Sequence, residues 1–423
     1  MRRTELSGKR EPEEVLRLLS VRARKLGVEM AALCGDWFGS RAVLAPAIRT
    51  GPVADPFSLC AQPQMAGPPG AVGGGWFGYL SYDLSDPARR SAWLPKTVWG
   101  WADHVLRLDH DGRWWFEALA PGPDPAEFEA LLRQPDPALG WTSTTLQRPL
   151  PHHDAIKACV HAIEAGELFQ ANICTRFTGR FDGEPAALFA EGVRALQPRR
   201  AAFLSGGWGS VVSFSPELFL ARQGDRVRST PIKGTRPRRG PSDEPLRQEL
   251  RESTKDVAEN VMITDLVRND LGRVCGVGSV TVPELLAVRP APGVWHLEST
   301  VEGSLGPGVT DEDLLRATFP PGSVTGAPKI RALDLIAELE PHARGVYTGA
   351  VGLASPVAGL ELNVAIRTFE IHSGRIALGV GGGITADSDP LAEWEECLHK
   401  AAPLEALLAA GVQHQLADGG TGT

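Results

Sequence analysis

Two stretches of the sequence set acidic residues three apart where helices are expected. Asp256 and Glu259 form one pair; Glu393 and Glu396 form the other, with Lys400 one turn further on. At that spacing both carboxylates of a pair project from one helix face. Four oxygen donors with no Cys or His beside them suit Mg²⁺, a hard cation that takes one or two carboxylates with waters and an anionic substrate. Solvated helix faces carry the same spacing, so both readings stand on spacing alone.

A second set of residues suits nucleophilic and acid–base chemistry. The segment PIKGTRPR (231–238) sets Lys233 between an isoleucine and Gly234, with Arg236 and Arg238 close by. Neighbouring cations favour the neutral amine that a nucleophile must be. Glu217, sixteen residues earlier, is a candidate general acid if its surroundings raise its proton affinity. A lysine in a surface loop is the competing reading. Arg367 falls in an apolar run read as a strand, where a guanidinium needs an anionic partner, internal or from a ligand. The small-residue turn at 319–329, with Ser323 and Lys329, offers backbone N–H groups at a helix start, and Gly381-Gly382-Gly383 lets backbone approach a ligand. Turn architecture is the competing reading for both, and as lone signals the segments do not outweigh it.

The elements that must position these groups follow from periodicity and caps. Helices are predicted at 13–26, stopped by Gly27, at 154–165 with Asp154 as cap, and at 244–267, 311–316, 329–339 and 390–410. The last has Asp389 as N-cap and Pro390 at its first position. Strands are predicted at 168–177, with Gln170, Asn172 and Cys174 on one face, and at 210–214, 218–222, 345–353, 361–370 and 375–380. Strands cluster with short links, which predicts an α+β fold of two packed, largely antiparallel sheets rather than a doubly wound parallel one.

Composition bounds the rest. The 423 residues carry a formal net charge of −8 and 43% hydrophobic content, ordinary for a globular chain. No apolar run reaches the roughly 20 residues of a membrane span, and residues 1–10 are charged, so the expectation is a cytoplasmic protein with neither anchor nor signal peptide. A negative chain without a basic block is a poor nucleic-acid partner. The six scattered cysteines show no CxxC and read as reduced thiols. Only eight lysines occur, among them Lys233, Lys255, Lys329 and Lys400. Eight of eleven tryptophans precede residue 142, and prolines crowd 121–151. The predicted division is therefore an aromatic-rich part at 1–148 packed with the rest, a catalytic part at 149–412, and a flexible tail at 413–423.

Taken together, GELFQANICTR (166–176), SFSPELF (213–219), PIKGTRPR, AENVMITDLVRNDLGRVC (258–275), the 319–329 turn, 347–352 and GVGGGITADSDPLAEWEECLHK (379–400) resemble the chorismate-utilising enzymes, the family of anthranilate and aminodeoxychorismate synthase components. The matching stretches span most of 150–405, in order; before 150 the match is thinner. The resemblance implies the two-sheet fold and a site for chorismate, a small dianion. It implies Mg²⁺ held by Glu259 and Glu396, with Asp256 and Glu393 acting through water. Tyr347, Arg367 and the backbone of Gly381 and Gly383 would cradle the enolpyruvyl carboxylate. Gly234, Thr235, Ser323 and Lys400 match further substrate- or metal-proximal positions, and His296 a histidine beside the ring.

Two positions separate the branches of the family. Relatives that add water to the ring carry lysine where this chain has Gln170. Relatives that make anthranilate usually read PIAGT, whereas PIKGT is the aminodeoxychorismate pattern. The resemblance thus implies attack by Lys233 at C2 as the C4 hydroxyl leaves with a proton from Glu217, then attack of ammonia at C4, giving 4-amino-4-deoxychorismate. Its products lead toward para-aminobenzoate and folate, or toward specialised aminated phenylpropanoids. No glutamine-amidotransferase nucleophile segment is present, so ammonia is expected from a separate amidotransferase subunit. An LLES-type segment, which in relatives belongs to a tryptophan site, is also missing. The rivals are an anthranilate-forming enzyme with an unusual lysine and a catalytically silent chorismate-binding subunit.

Overall fold

Apolar side chains alternate along most strands, so each sheet has two faces to bury, and the chain solves this by stacking one sheet on the other. The computed structural model describes residues 1–50, 53, 55–58 and 64–418, with side chains through residue 411. Every strand pairing among them is antiparallel. The first sheet runs from Arg2–Leu6 through Trp114–Ala118, His104–Leu108, Ser40–Thr50, Glu29–Trp37, Arg200–Gly206, Gly209–Ser215, Thr368–His372 and Arg375–Ile384 to Gln170–Gly183. The second runs from Thr97–Ala102 through Gly75–Leu80, Ala350–Ser355, Gly359–Val364, Leu218–Gln223 and Arg226–Thr230 to Val294–Ser304, which Ile232–Pro237 and Thr281–Ala291 flank. Strand Ser40–Thr50 bonds into both.

Between the sheets lies a core that includes Leu33, Trp37, Phe77, Tyr79, Leu204 and Leu353, all fully enclosed. Helices Pro12–Leu26, Pro185–Leu196 and Pro390–Asp418 cover the outer face of the first sheet through Leu16, Phe189 and Leu408. Helices Thr254–Gly272 and Asp311–Thr318 cover the second through Ile263, Val267 and Leu314. This is the α+β arrangement expected from the clustering of strands. The early strands are paired with late ones in both sheets, Glu29–Trp37 with Arg200–Gly206 and Gly75–Leu80 with Ala350–Ser355.

Several local expectations are corrected. The stretch 244–267 is two helices, Glu244–Glu252 and Thr254–Gly272, because Ser253 leaves the helical conformation and accepts the amide of Asp256 on its hydroxyl. Asp154 sits inside the first turn of helix His153–Glu164, which starts two residues earlier than a cap there allows, with His152 at the cap position. Residues 345–349 form a turn before strand Ala350–Ser355. The run 361–370 divides into two strands that belong to different sheets, with Arg367 at φ 51 between them. The last helix continues to Asp418, so part of the expected tail is helical and residues 419–423 lie outside the described ones. Cys60 lies outside them too; the other five cysteines are free.

Candidate active site

The two acid pairs sit on helix starts whose geometry is fixed by caps. Asp256 and Glu259 occupy the first turns of Thr254–Gly272, behind the Ser253 cap. Asp389 accepts the amides of Leu391 and Ala392, which starts the helix carrying Glu393, Glu396 and Lys400. Side chains from both helix starts reach the strand Arg375–Ile384, where three glycines stand in for side chains. A Cβ on Gly382 would lie 3.1 Å from Glu393 Oε2, and one on Gly383 would lie 2.0 Å from Gln170 Nε2, 2.9 Å from Lys233 Nζ and 3.2 Å from Glu259 Oε2. A Cβ on Gly381 would lie 2.6 Å from Cys174 Sγ. The backbone there is therefore a wall against which the polar groups of four elements converge.

Lys233 stands on strand Ile232–Pro237 rather than in a surface loop, with its ammonium nitrogen 3.8 Å from Glu259 and its side chain 11% exposed. Gly234 follows at φ +93, and a Cβ there would meet Asp256 at 3.0 Å; only glycine combines that backbone with that closeness. The arginines expected to activate Lys233 are engaged elsewhere. Arg236 pairs with Asp256 at 3.0 Å and Glu249 at 2.8 Å, and Arg238 lies over the Trp295 ring, 5.0 Å from its centre. Gln170, at the start of strand Gln170–Gly183, donates to Glu259 at 3.4 Å, and its carbonyl oxygen is buried without a partner.

Glu217 is 3% exposed, on the turn from strand Gly209–Ser215 to strand Leu218–Gln223. Burial pushes its carboxyl up to about 7, although the Ser323 hydroxyl, the Lys233 ammonium and the Ile232 amide all favour the ionised form. Arg367 faces the same space. Burial lowers its proton affinity against the attraction of Glu217, and among the described residues no carboxylate lies within ion-pairing distance of it. Its left-handed backbone, at φ 51, turns it out of the sheet ladder. Thr235 and His296 are cross-strand partners, with the hydroxyl 3.1 Å from His296 Nδ1. Burial, then the cations Arg367 and Arg199, hold the imidazole down to about 3, so it is neutral, and its Nε2 is buried without a partner.

Lys400 donates to the Gly381 carbonyl at 2.9 Å and pairs with Glu396 at 2.7 Å. Tyr347 reaches this wall by packing on Gly379 and beside Cys174, not through Arg367. Lys329, in the same small-residue turn as Ser323, is a structural lysine: it pairs with Asp270 at 2.5 Å and donates to the carbonyls of Thr318 and Pro320. Lys255 is the residue that sequence reasoning passed over. It pairs with Glu393 at 3.2 Å, and the only signal for it is its place one residue before Asp256.

The four carboxylates fit a hard divalent cation by donor chemistry. Burial raises the proton affinity of Glu259, and the charges of Glu396 and Asp256 add to it. Glu393, 3% exposed, keeps one oxygen with no hydrogen-bond partner. They are not gathered into a cage: among the described residues no group of three His, Cys, Asp or Glu side chains is close enough to hold a metal by itself. Each carboxylate is instead paired with a cation, Glu259 with Lys233, Glu396 with Lys400, Glu393 with Lys255 and Asp256 with Arg236. Among the described residues no helix is long and apolar enough to cross a membrane.

A family model described as chorismate binding enzyme matches residues 47–406. Aminodeoxychorismate synthase component 1 of Klebsiella aerogenes is 40% identical over 77% of this chain and 75% of its own length. An anthranilate synthase component I-like protein of Synechocystis is 38% identical over 80% of this chain and 72% of its own length. The crystal structure of anthranilate synthase component I from Streptococcus pneumoniae superposes with a TM-score of 0.71 at 26% identity, covering 89% of this chain and 90% of that one.

Proposed function

The chain belongs to the chorismate-binding enzymes, and on that premise we propose that it is an aminodeoxychorismate synthase, converting chorismate and ammonia to 4-amino-4-deoxychorismate. The observation that carries this reading is the meeting of Lys233 with Glu217, Gln170 and Gly383 at one wall. Glu217, still substantially protonated near neutral pH, donates its proton to the departing C4 hydroxyl. The Lys233 amine forms a bond to C2 as the C4–O bond breaks. Ammonia then bonds to C4, the C2–N bond to Lys233 breaks, and the proton shed by the new C4–N group returns Glu217 to its acid form. Gln170 cannot serve as the base that water addition would require.

Arg367 receives the enolpyruvyl carboxylate, since among the described residues no carboxylate lies within ion-pairing distance of its buried guanidinium and Glu217 acts on it only from further off. Gly381 and Gly383 let the substrate approach the backbone, with Tyr347 behind them. His296, neutral and oriented by Thr235, presents an imidazole nitrogen beside the ring. Mg²⁺ would be held by Glu259 and Glu396, with Asp256 and Glu393 through water, and supplies positive charge against the ring carboxylate. Ammonia comes from a separate amidotransferase subunit; the relatives named component 1 are by that name one part of a larger enzyme.

Anthranilate formation is the second reading, favoured by relatives of that name at 37–38% identity. Lys233 weighs against it. Chromatography of the products from chorismate, ammonium and Mg²⁺ tests the choice. Aminodeoxychorismate is expected, and ortho-aminobenzoate overturns the proposal.

A further inference from the structure

The cluster balances its charge without any metal. Glu259, Glu393, Glu396 and Asp256 face Lys233, Lys255, Lys400 and Arg236, one cation to each carboxylate. Three of these cations stand at or beside the reaction space or hold a backbone carbonyl or a second carboxylate. Lys255 does none of this. Its side chain is 47% exposed, its carboxylate partner is Glu393, and the pair joins helix Thr254–Gly272 to helix Pro390–Asp418.

We infer that Lys255 is a counter-ion that holds the metal's place, neutralising Glu393 and bridging the two acidic helices until a divalent cation displaces it. Its position supports this: the ammonium lies 3.2 Å from Glu393 on one acidic helix, while its stem rises from the first turn of the other, beside Asp256. Glu393 has the complementary signature. One oxygen accepts from Lys255 and from the Ser388 hydroxyl, at 3.2 and 2.6 Å, and the other is buried without a partner beside Gly382. A carboxylate so arranged already has half of its capacity committed and half open. A cation arriving at the open oxygen meets a like charge in Lys255 and must push it toward solvent, where its half-exposed stem can go at little cost.

Lys255 is thus a competitor of the metal, not a ligand of the substrate. The inference rests on the magnesium assignment above. It is tested by isothermal titration of MgCl₂ into the intact chain without chorismate, comparing wild type with Lys255→Met and Lys255→Arg. Lys255→Met is expected to bind Mg²⁺ about three- to fivefold tighter, the scale of one partly exposed charge pair. Lys255→Arg, which keeps the charge, is expected to stay within about twofold of wild type. Damage to the fold weakens binding, whereas removal of a competing cation strengthens it. Equal or weaker binding by Lys255→Met, with wild type binding normally, overturns the competitor role alone. Absence of saturable binding by all three proteins overturns the magnesium assignment and the inference with it.

Discussion

Lys233 Nζ lies 3.8 Å from Glu259 Oε2. The residue proposed as nucleophile is therefore the counter-ion of a carboxylate proposed for the metal, so amine chemistry and charge neutralisation are joined at one pair.

Replacing that amine removes the covalent route. Lys233→Ala is expected to lose at least about a thousandfold in kcat/KM for amination, the scale of losing a nucleophile. Intact-protein mass spectrometry should find an adduct with chorismate in wild type and none in the variant. An adduct that persists in Lys233→Ala refutes the assignment.

Glu217 supplies a prediction of opposite sign for rate and for stability. Its buried carboxyl binds a proton more tightly folded than unfolded, rising from 4.5 to about 7. Folding carries no penalty below the lower value and a growing one up to the higher, reaching about 3 kcal/mol at 1.36 kcal/mol per pH unit. Glu217→Gln should therefore lose about a hundredfold or more in kcat yet gain in Tm relative to wild type at about pH 8 and not at about pH 4.5. Thermal melts at both pH values check it.

Ser323 tunes the same group. Its hydroxyl favours the ionised carboxylate, so Ser323→Ala should move the basic limb of the pH–rate profile, where Glu217 loses its proton, to higher pH. A limb that stays put removes Ser323 from the site.

Arg367 is expected to separate binding from folding. Arg367→Met should raise the KM for chorismate at least about tenfold, the scale of a charge-assisted contact, while denaturant midpoints stay level or rise, because an unpaired guanidinium leaves an enclosed space. A fall in stability with unchanged KM would place the arginine in the scaffold.

Lys329 offers the contrast of a lysine that serves the fold. Its ammonium is enclosed between Asp270 and two carbonyls. Lys329→Met should cost about 3–5 kcal/mol by stranding Asp270, and Lys329→Met with Asp270→Leu should recover much of it. Urea melts of both variants measure the difference.

The acid pairs were legible in the sequence because helical spacing and caps are local, and the structure brings Glu259, Glu393 and Glu396 to one glycine wall, with Asp256 beside Gly234. Arg367 was legible as a residue in need of an anion, but not as a break: the apolar run on both sides of it hides a change of sheet that only tertiary packing dictates. Lys329 drew notice for its small-residue setting, and its partner Asp270, on a helix remote in sequence, decided otherwise. Lys255 escaped because its partner is 138 residues away. Pairings between distant segments, such as Gly75–Leu80 with Ala350–Ser355, carry no local signal either.

The run Gly381-Gly382-Gly383 leaves one wall of the site made of main chain, and any side chain there would meet Cys174, Glu393 or Gln170. That wall offers nothing to vary. On the proposed function, variation in chemistry then falls to the side chains that face this wall, Gln170 and Lys233 among them, whose atoms a Cβ on Gly383 would meet.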